Sequence, residues 1–203
     1  MPMPRRERDR LQRRTDILRA AEAVFADKGY HEASIEEIAR VAEYGTGTVY
    51  LYFKDKETLY LELVEEKFRG MIQHVQGSVA AEKDPIEGIR RLIRARMEFF
   101  GENRAFFRIY MDARTEVGLA KRGRGEGIVK LRETYIEVIS GLMRAGQRRG
   151  MIRKGDPRQF AIALTGIMRQ LTRDWLRSDD GSPLTDSVDF VADLFFHGAQ
   201  PKR

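Results

Sequence analysis

The stretch that decides the fold is Ser34-Ile-Glu-Glu-Ile-Ala-Arg-Val-Ala-Glu-Tyr-Gly-Thr-Gly-Thr-Val-Tyr-Leu-Tyr-Phe53. Ser34 and Glu37 have the S-x-x-E spacing of a capping box. In that motif the serine oxygen takes the N3 amide and the carboxylate reaches back to the serine amide. Ile35, Ile38, Ala39 and Ala42 then share one helical face. Glu43-Tyr44-Gly45 reads as a tight turn. Thr46 to about Tyr52 follows as a second short helix, with Val49 and Phe53 turned inward. Two short helices across a three-residue turn have helix-turn-helix geometry, in which the second helix enters the major groove of DNA. Spacing alone does not separate this from an ordinary corner between two helices.

Working outward, the pattern stays helical. Ile17, Ala21, Val24 and Phe25 form one stripe on a helix from about Arg8 to Lys28, and Gly29 stands where a left-handed residue ends it. A long helix runs from Asp55 to about Val79. Asp84-Pro85 and Asp156-Pro157 each pair an N-cap with proline at the first helical position. The helices they open carry Ile86, Ile89, Ile93, Met97 and Phe100, and Phe160, Leu164, Ile167, Leu171 and Trp175. Asn103 is expected to cap a helix bearing Phe106, Phe107, Tyr110 and Met111. Lys121 to Gly127 reads as a mobile loop, Ile128 to about Arg149 as a helix ended by Gly150, and a last helix carries Val188, Val191, Leu194 and Phe195. The expected fold is all-α with about nine helices. An N-terminal helix-turn-helix domain at 1–54 and a C-terminal helical domain at 55–203 would share the fourth helix.

The 203 residues are 42% hydrophobic and include no cysteine. Disulfides, Cys-ligated zinc, iron–sulfur clusters and thiol nucleophiles are therefore excluded. The first residues are charged with no apolar stretch behind them, and no uncharged run reaches the ~20 residues of a membrane span. A cytoplasmic protein without membrane contact is expected. The net charge of +6 is uneven: residues 1–14 hold six arginines against two acids, whereas residues 15–54 hold four bases against seven acids. Net charge is thus a poor argument for nucleic acid here. The histidines, His31, His74 and His197, are far apart in sequence, and no P-loop, G-x-G-x-x-G or G-x-S-x-G motif occurs. No catalytic residue, metal or cofactor is expected, and an enzyme is the weakest of the candidate classes.

The residues of the N-terminal third are more specific than their spacing. Arg14-Thr-Asp-Ile-Leu-Arg-Ala-Ala, Phe25, Lys28-Gly-Tyr30, Ser34-Ile, Ile38-Ala39, Ala42, Gly47-Thr-Val-Tyr-Leu-Tyr-Phe-Lys54, Lys56-Glu57 and Leu59 together closely resemble the TetR family of bacterial transcriptional regulators. The resemblance covers residues 14–60; beyond them only helix number and chain length match. It implies a homodimer that binds double-stranded DNA through its N-terminal domain and a small-molecule effector through its C-terminal lobe. It also implies DNA contacts at Ser34, Thr46, Thr48, Tyr50, Tyr52 and Lys56. Three positions depart from the family pattern. Glu43 stands where glycine is frequent, Tyr44 where a small aliphatic is usual, and Thr46 where lysine is frequent.

The residue chemistry adds Gly47, whose small size lets backbone approach phosphate, Leu51, which suits a thymine methyl, and Lys54 after the recognition helix. Two readings stay open for several of these. Ser34 caps a helix whether or not it meets phosphate, and Tyr52 either packs on the first helix or faces DNA. The arginines of residues 5–14 either form a solvated tail or act as an arm along phosphates or in a minor groove.

In the C-terminal lobe, Met97, Phe100, Phe107, Tyr110, Met111, Tyr135, Met143 and Met168 are candidates for an effector pocket, against the alternative of ordinary core. Arg90, Arg91, Arg94 and Arg96 suggest either a solvated face or an anion site. The GT-x-YLYFK-x-KE stretch resembles family members that respond to long-chain acyl-CoA. Leu164, Ile167, Leu171, Trp175, Val191, Leu194 and Phe195 are the expected dimer interface. The function expected is a repressor released from a pseudo-palindromic operator by an apolar or amphipathic effector. A helical adaptor binding only proteins is the alternative.

Overall fold

The computed structural model describes residues 4–110, 126–178 and 181–199. Among them are nine α-helices and no strand: α1 Arg5–Glu32, α2 Ile35–Val41, α3 Thr46–Tyr52, α4 Lys56–Val79, α5 Pro85–Glu102, α6 Arg104–Tyr110, α7 Glu126–Arg148, α8 Pro157–Arg177 and α9 Val188–Ala199, with a 3₁₀ turn at Leu184–Ser187. The all-α expectation holds. Met111 and most of the expected 121–127 loop lie outside the described residues.

The chain divides into two compact units. One runs through Lys67 and takes up the chain again from Ala105, and the other holds Phe68–Arg104 and the residues from Gly127 on. The division therefore falls inside α4 rather than at residue 54.

In the first unit, α1 contributes Ile17, Leu18, Ala21, Val24 and Phe25 to the core, α2 Ile35, Ile38 and Ala39, and α3 Val49, with Phe53 just beyond it. Leu59, Tyr60, Leu63 and Val64 of α4 complete it. α1 is kinked just after Lys28. Gly29, at φ 77°, turns the chain out of the helix as its position predicts. The expected start at Arg8 moves back to Arg5, so the arginine-rich segment is a helical extension of α1 and not an extended arm. Arg14 pairs with Glu62, and Lys67 with Glu22 at 2.7 Å, tying α1 to α4.

In the second unit, Asp84 accepts from the Ile86 and Glu87 amides and Asp156 from the Arg158 amide, so both cap-plus-proline signals start helices. Asn103 stands between α5 and α6. Its side chain donates to Phe99 O and closes α5. The core collects Leu92, Ile93, Met97 and Phe100 from α5, Ile139 and Met143 from α7, Leu164 and Met168 from α8, and Val191 and Ala192 from α9.

Candidate nucleic-acid interface

The α2–α3 corner is built by local chemistry. Ser34 Oγ accepts from the Glu37 amide at 3.2 Å, the first half of the capping box. The second half is absent, because the Glu37 carboxylate turns to Lys28 at 2.7 Å and Arg40 at 3.7 Å. The bond to Glu37 holds the Lys28 ammonium above its ordinary pKa. α2 ends as the Tyr44 amide donates to Ala39 O at 2.9 Å. Glu43 then takes φ 59°, the left-handed conformation that favours the glycine of the family pattern. The Tyr44 hydroxyl donates to Asp16 Oδ2 at 3.1 Å, which gives this bulky turn residue an anchor on α1.

α3 is seated by Val49 and by the buried Phe53 that follows it. Their inward direction leaves Gly47, Tyr50 and Leu51 exposed, with Leu51 82% exposed and Tyr50 50%. Thr46, Thr48 and Tyr52 are half-buried at its sides, and Lys54 is exposed. No atom lies within 4 Å of where a Gly47 side chain would start, so packing does not require glycine there.

Lys56, another expected DNA contact, is engaged within the chain. Its Nζ donates to the carbonyls of Tyr30, His31 and Ala33 at 2.8, 3.1 and 2.8 Å and lies 4.8 Å over the Tyr30 ring. All three N–H groups of the ammonium are committed to the chain leaving α1, and none remains for phosphate. Burial lowers its pKa.

Of the candidate pocket residues, Met97, Phe100, Tyr135, Met143 and Met168 are buried in the second unit, whereas Phe107 and Tyr110 belong to the first. The arginines of α5 do not form one anion site. Arg90 pairs with Asp189 and Asp193, Arg91 with Glu82 and Glu87, and Arg94 is exposed. Arg96, 4% exposed, donates to Thr172 Oγ1 at 3.3 Å and lies 4.4 Å over Phe100. Sequence reasoning missed this buried cation. The signal was present, since Arg96 falls three residues after Ile93 and four before Phe100, on the apolar stripe of α5.

Tyr135 is 5% exposed and its hydroxyl has no hydrogen-bond partner. Burial pushes its pKa up to about 12, with the Arg96 charge opposing. Tyr135→Phe is therefore expected to cost no stability at pH 7, since it removes an unsatisfied polar atom. The unfolded chain loses the phenolic proton near pH 10 and the folded chain near 12. Above pH 10 the parent thus loses stability that the variant keeps, about 1.4 kcal/mol by pH 11. Urea unfolding at pH 8 and 11 measures the gap; equal pH dependence of the two proteins counts against it.

Of the expected interface residues, Leu164, Val191 and Phe195 are buried within the single chain. Trp175 is tied within its own unit, its indole N–H donating to Ser182 O at 2.7 Å and Arg104 stacking 4.6 Å over its ring. Ile167 and Leu171 are half-buried. Exposed apolar surface instead lies at Ile162 on α8 and at Phe190 and Leu194 on α9, with the small exposed Ala163 and Gly166 beside Ile162 in α8.

A helix-turn-helix among described residues that form only helices is the architecture of a DNA-binding regulator, and the family matches agree with it. Residues 17–63 match the model of the bacterial regulatory proteins of the tetR family, and residues 82–199 match the tetracyclin repressor-like C-terminal domain. The chain belongs to the TetR family of transcriptional regulators. It is 26% identical over 188 residues to the fatty acid metabolism regulator protein of Bacillus subtilis, covering 92% of this chain and 95% of that one. It is also 26% identical to the transcriptional activator FasR of Mycolicibacterium smegmatis, over 84% of this chain and 75% of the relative. The crystal structure of FadR from Bacillus subtilis with stearoyl-CoA superposes with a TM-score of 0.78 at 22% identity, over 92% of this chain and 99% of that one. Among the described residues no helix is long and apolar enough to cross a membrane, and no group of three or more His, Asp or Glu could hold a metal.

Proposed function

We propose that the chain is a cytoplasmic repressor that binds a pseudo-palindromic operator as a homodimer and releases it when a long-chain acyl-CoA enters the second unit. The observation that carries the DNA-binding part is α3 itself. Val49 and Phe53 pin it to the core, and this leaves Tyr50 and Leu51 facing outward with Gly47, Thr48 and Lys54 around them. The effector class is supported by the fatty acid metabolism regulator, matched over nearly its whole length. Met97, Met143 and Met168, flexible side chains buried in the second unit, suit repacking around an acyl chain. A second copy packed on Ile162, Phe190 and Leu194 would cover apolar surface that the single chain leaves in water, and a two-fold dimer reads two related half-sites. An effector that binds the DNA-free form better lowers DNA affinity by the same factor. α4, continuous through both units, is the element offered for that coupling.

The test is selection of bound duplexes from a random pool with the full-length protein, then titration of the complex with stearoyl-CoA and with free coenzyme A. Release by the acylated form alone is expected. Stearoyl-CoA that binds while operator affinity stays constant would overturn the effector assignment, and failure to recover any duplex would favour the protein-only adaptor.

A further inference from the structure

The outward face of α3 is chemically one-sided. Between Thr46 and Tyr52 there is no Arg, Lys, Asn or Gln. Those are the side chains that read guanine and adenine by paired hydrogen bonds in the major groove. The only nearby base of the expected set besides Lys54 is Lys56, and its ammonium is consumed by three carbonyls of its own chain. What the helix presents most fully is an isobutyl group, since Leu51 is 82% exposed and flanked by the half-exposed ring of Tyr50. Gly47 lies one turn earlier on the same face, with nothing crowding the place of its missing side chain.

An apolar side chain on a surface that meets DNA finds few apolar partners there. The major-groove edges of guanine, cytosine and adenine offer hydrogen-bond donors and acceptors, and thymine alone adds a methyl. We infer that Leu51 is the specificity-determining residue of the operator half-site and that it reads thymine by packing on the 5-methyl group. The low surface at Gly47 gives the base edge room to approach. The inference rests on the assignment of α3 as the DNA-reading helix and adds what that helix reads.

The experiment uses the full-length protein and the operator recovered by selection from a random pool. Each thymine is replaced singly by deoxyuridine, which keeps the base pair and removes only the methyl. Binding is measured by competition for the parent and for Leu51→Ala. At one or two positions in each half-site, uracil is expected to weaken the parent about fourfold, the value of one buried methyl-sized group. Leu51→Ala, altered at an exposed position that the core does not use, is expected to bind the thymine and uracil operators equally. A parent that binds every uracil operator as tightly as the original overturns the inference while leaving α3 the reading helix. So does a Leu51→Ala protein with undiminished sensitivity to uracil. Failure to recover any operator removes the DNA-reading assignment, and this inference with it.

Discussion

Replacing Lys56 with methionine is expected to destabilise the first unit by about 2–4 kcal/mol while leaving the salt dependence of operator binding unchanged. α1 kinks at Gly29 and ends at Glu32, so the carbonyls of Tyr30, His31 and Ala33 at its end have no next helical turn to bond, and the Lys56 ammonium gathers all three. Hydrogen bonds to a charged group contribute about 1.5–3 kcal/mol each where buried and less where water competes, as it does at His31. Methionine keeps the length of the stem and removes only the donors. Hydrogen exchange at the α1–α3 amides reads the loss directly. A phosphate contact would behave oppositely, leaving exchange unchanged and lowering the slope of log K against log salt by about 0.9. That second pattern is the one expected for Lys54→Met, because Lys54 is exposed. A Lys56→Met protein that exchanges like its parent would return Lys56 to the DNA surface.

Deleting residues 1–12 is expected to flatten the salt dependence of operator binding, and the helical form of this segment says how. Residues 5–13 are exposed and precede the first core residue, Ile17. At 1.5 Å per residue they prolong α1 by about 13 Å. Arg6, Arg10 and Arg13 recur at helical spacing on one stripe, which Ile17 continues into the core. Arg14 is turned elsewhere, to Glu62 and Glu66. A helix about 10–12 Å across does not enter a minor groove about 6 Å wide, so the extension is placed to track phosphates along the backbone. Residues 1–12 include Arg6 and Arg10 of this stripe, and two lost contacts per protomer reduce the slope by about 1.8. The affinity gap between parent and truncated protein then widens by about twelvefold per protomer as salt falls from roughly 200 to 50 mM. The double change of Arg6 and Arg10 to glutamine should reproduce the deletion on operators of any flanking sequence. An unchanged slope in the truncated protein sinks the idea. A loss confined to A·T-rich flanks restores the minor-groove arm.

These two cases show where the sequence was legible. Signals that act within one turn of helix came through: Ser34, Asp84 and Asp156 cap, and Gly29 and Gly150 both take positive φ. The apolar stripes of α1 to α3 place the reading helix for the same reason, since period and burial are local. What failed depended on distant chain. The Lys56 ammonium is decided by carbonyls 23–26 residues earlier, and Glu37 leaves its capping box for Lys28. At Arg96 charge and periodicity point opposite ways, and its burial follows its place on the inward stripe of α5. The expected interface residues are a different case. Periodicity marks Leu164, Val191 and Phe195 as apolar, but it does not say whether the covering atoms come from the same chain or another, and here they come from the same chain.

The Trp175 arrangement has an optical consequence. The chain contains one tryptophan, and it sits in the second unit with its indole N–H on Ser182 O and a guanidinium over its ring. Indole emission therefore reports the end of α8 and nothing of the helix-turn-helix. The first unit has only tyrosine and phenylalanine to signal with, so excitation wavelength alone divides the molecule into a bright half and a dim one. An effector titration followed by indole emission would record what happens around Trp175, and the response of the DNA-reading helices would have to be followed through Tyr44, Tyr50 and Tyr52.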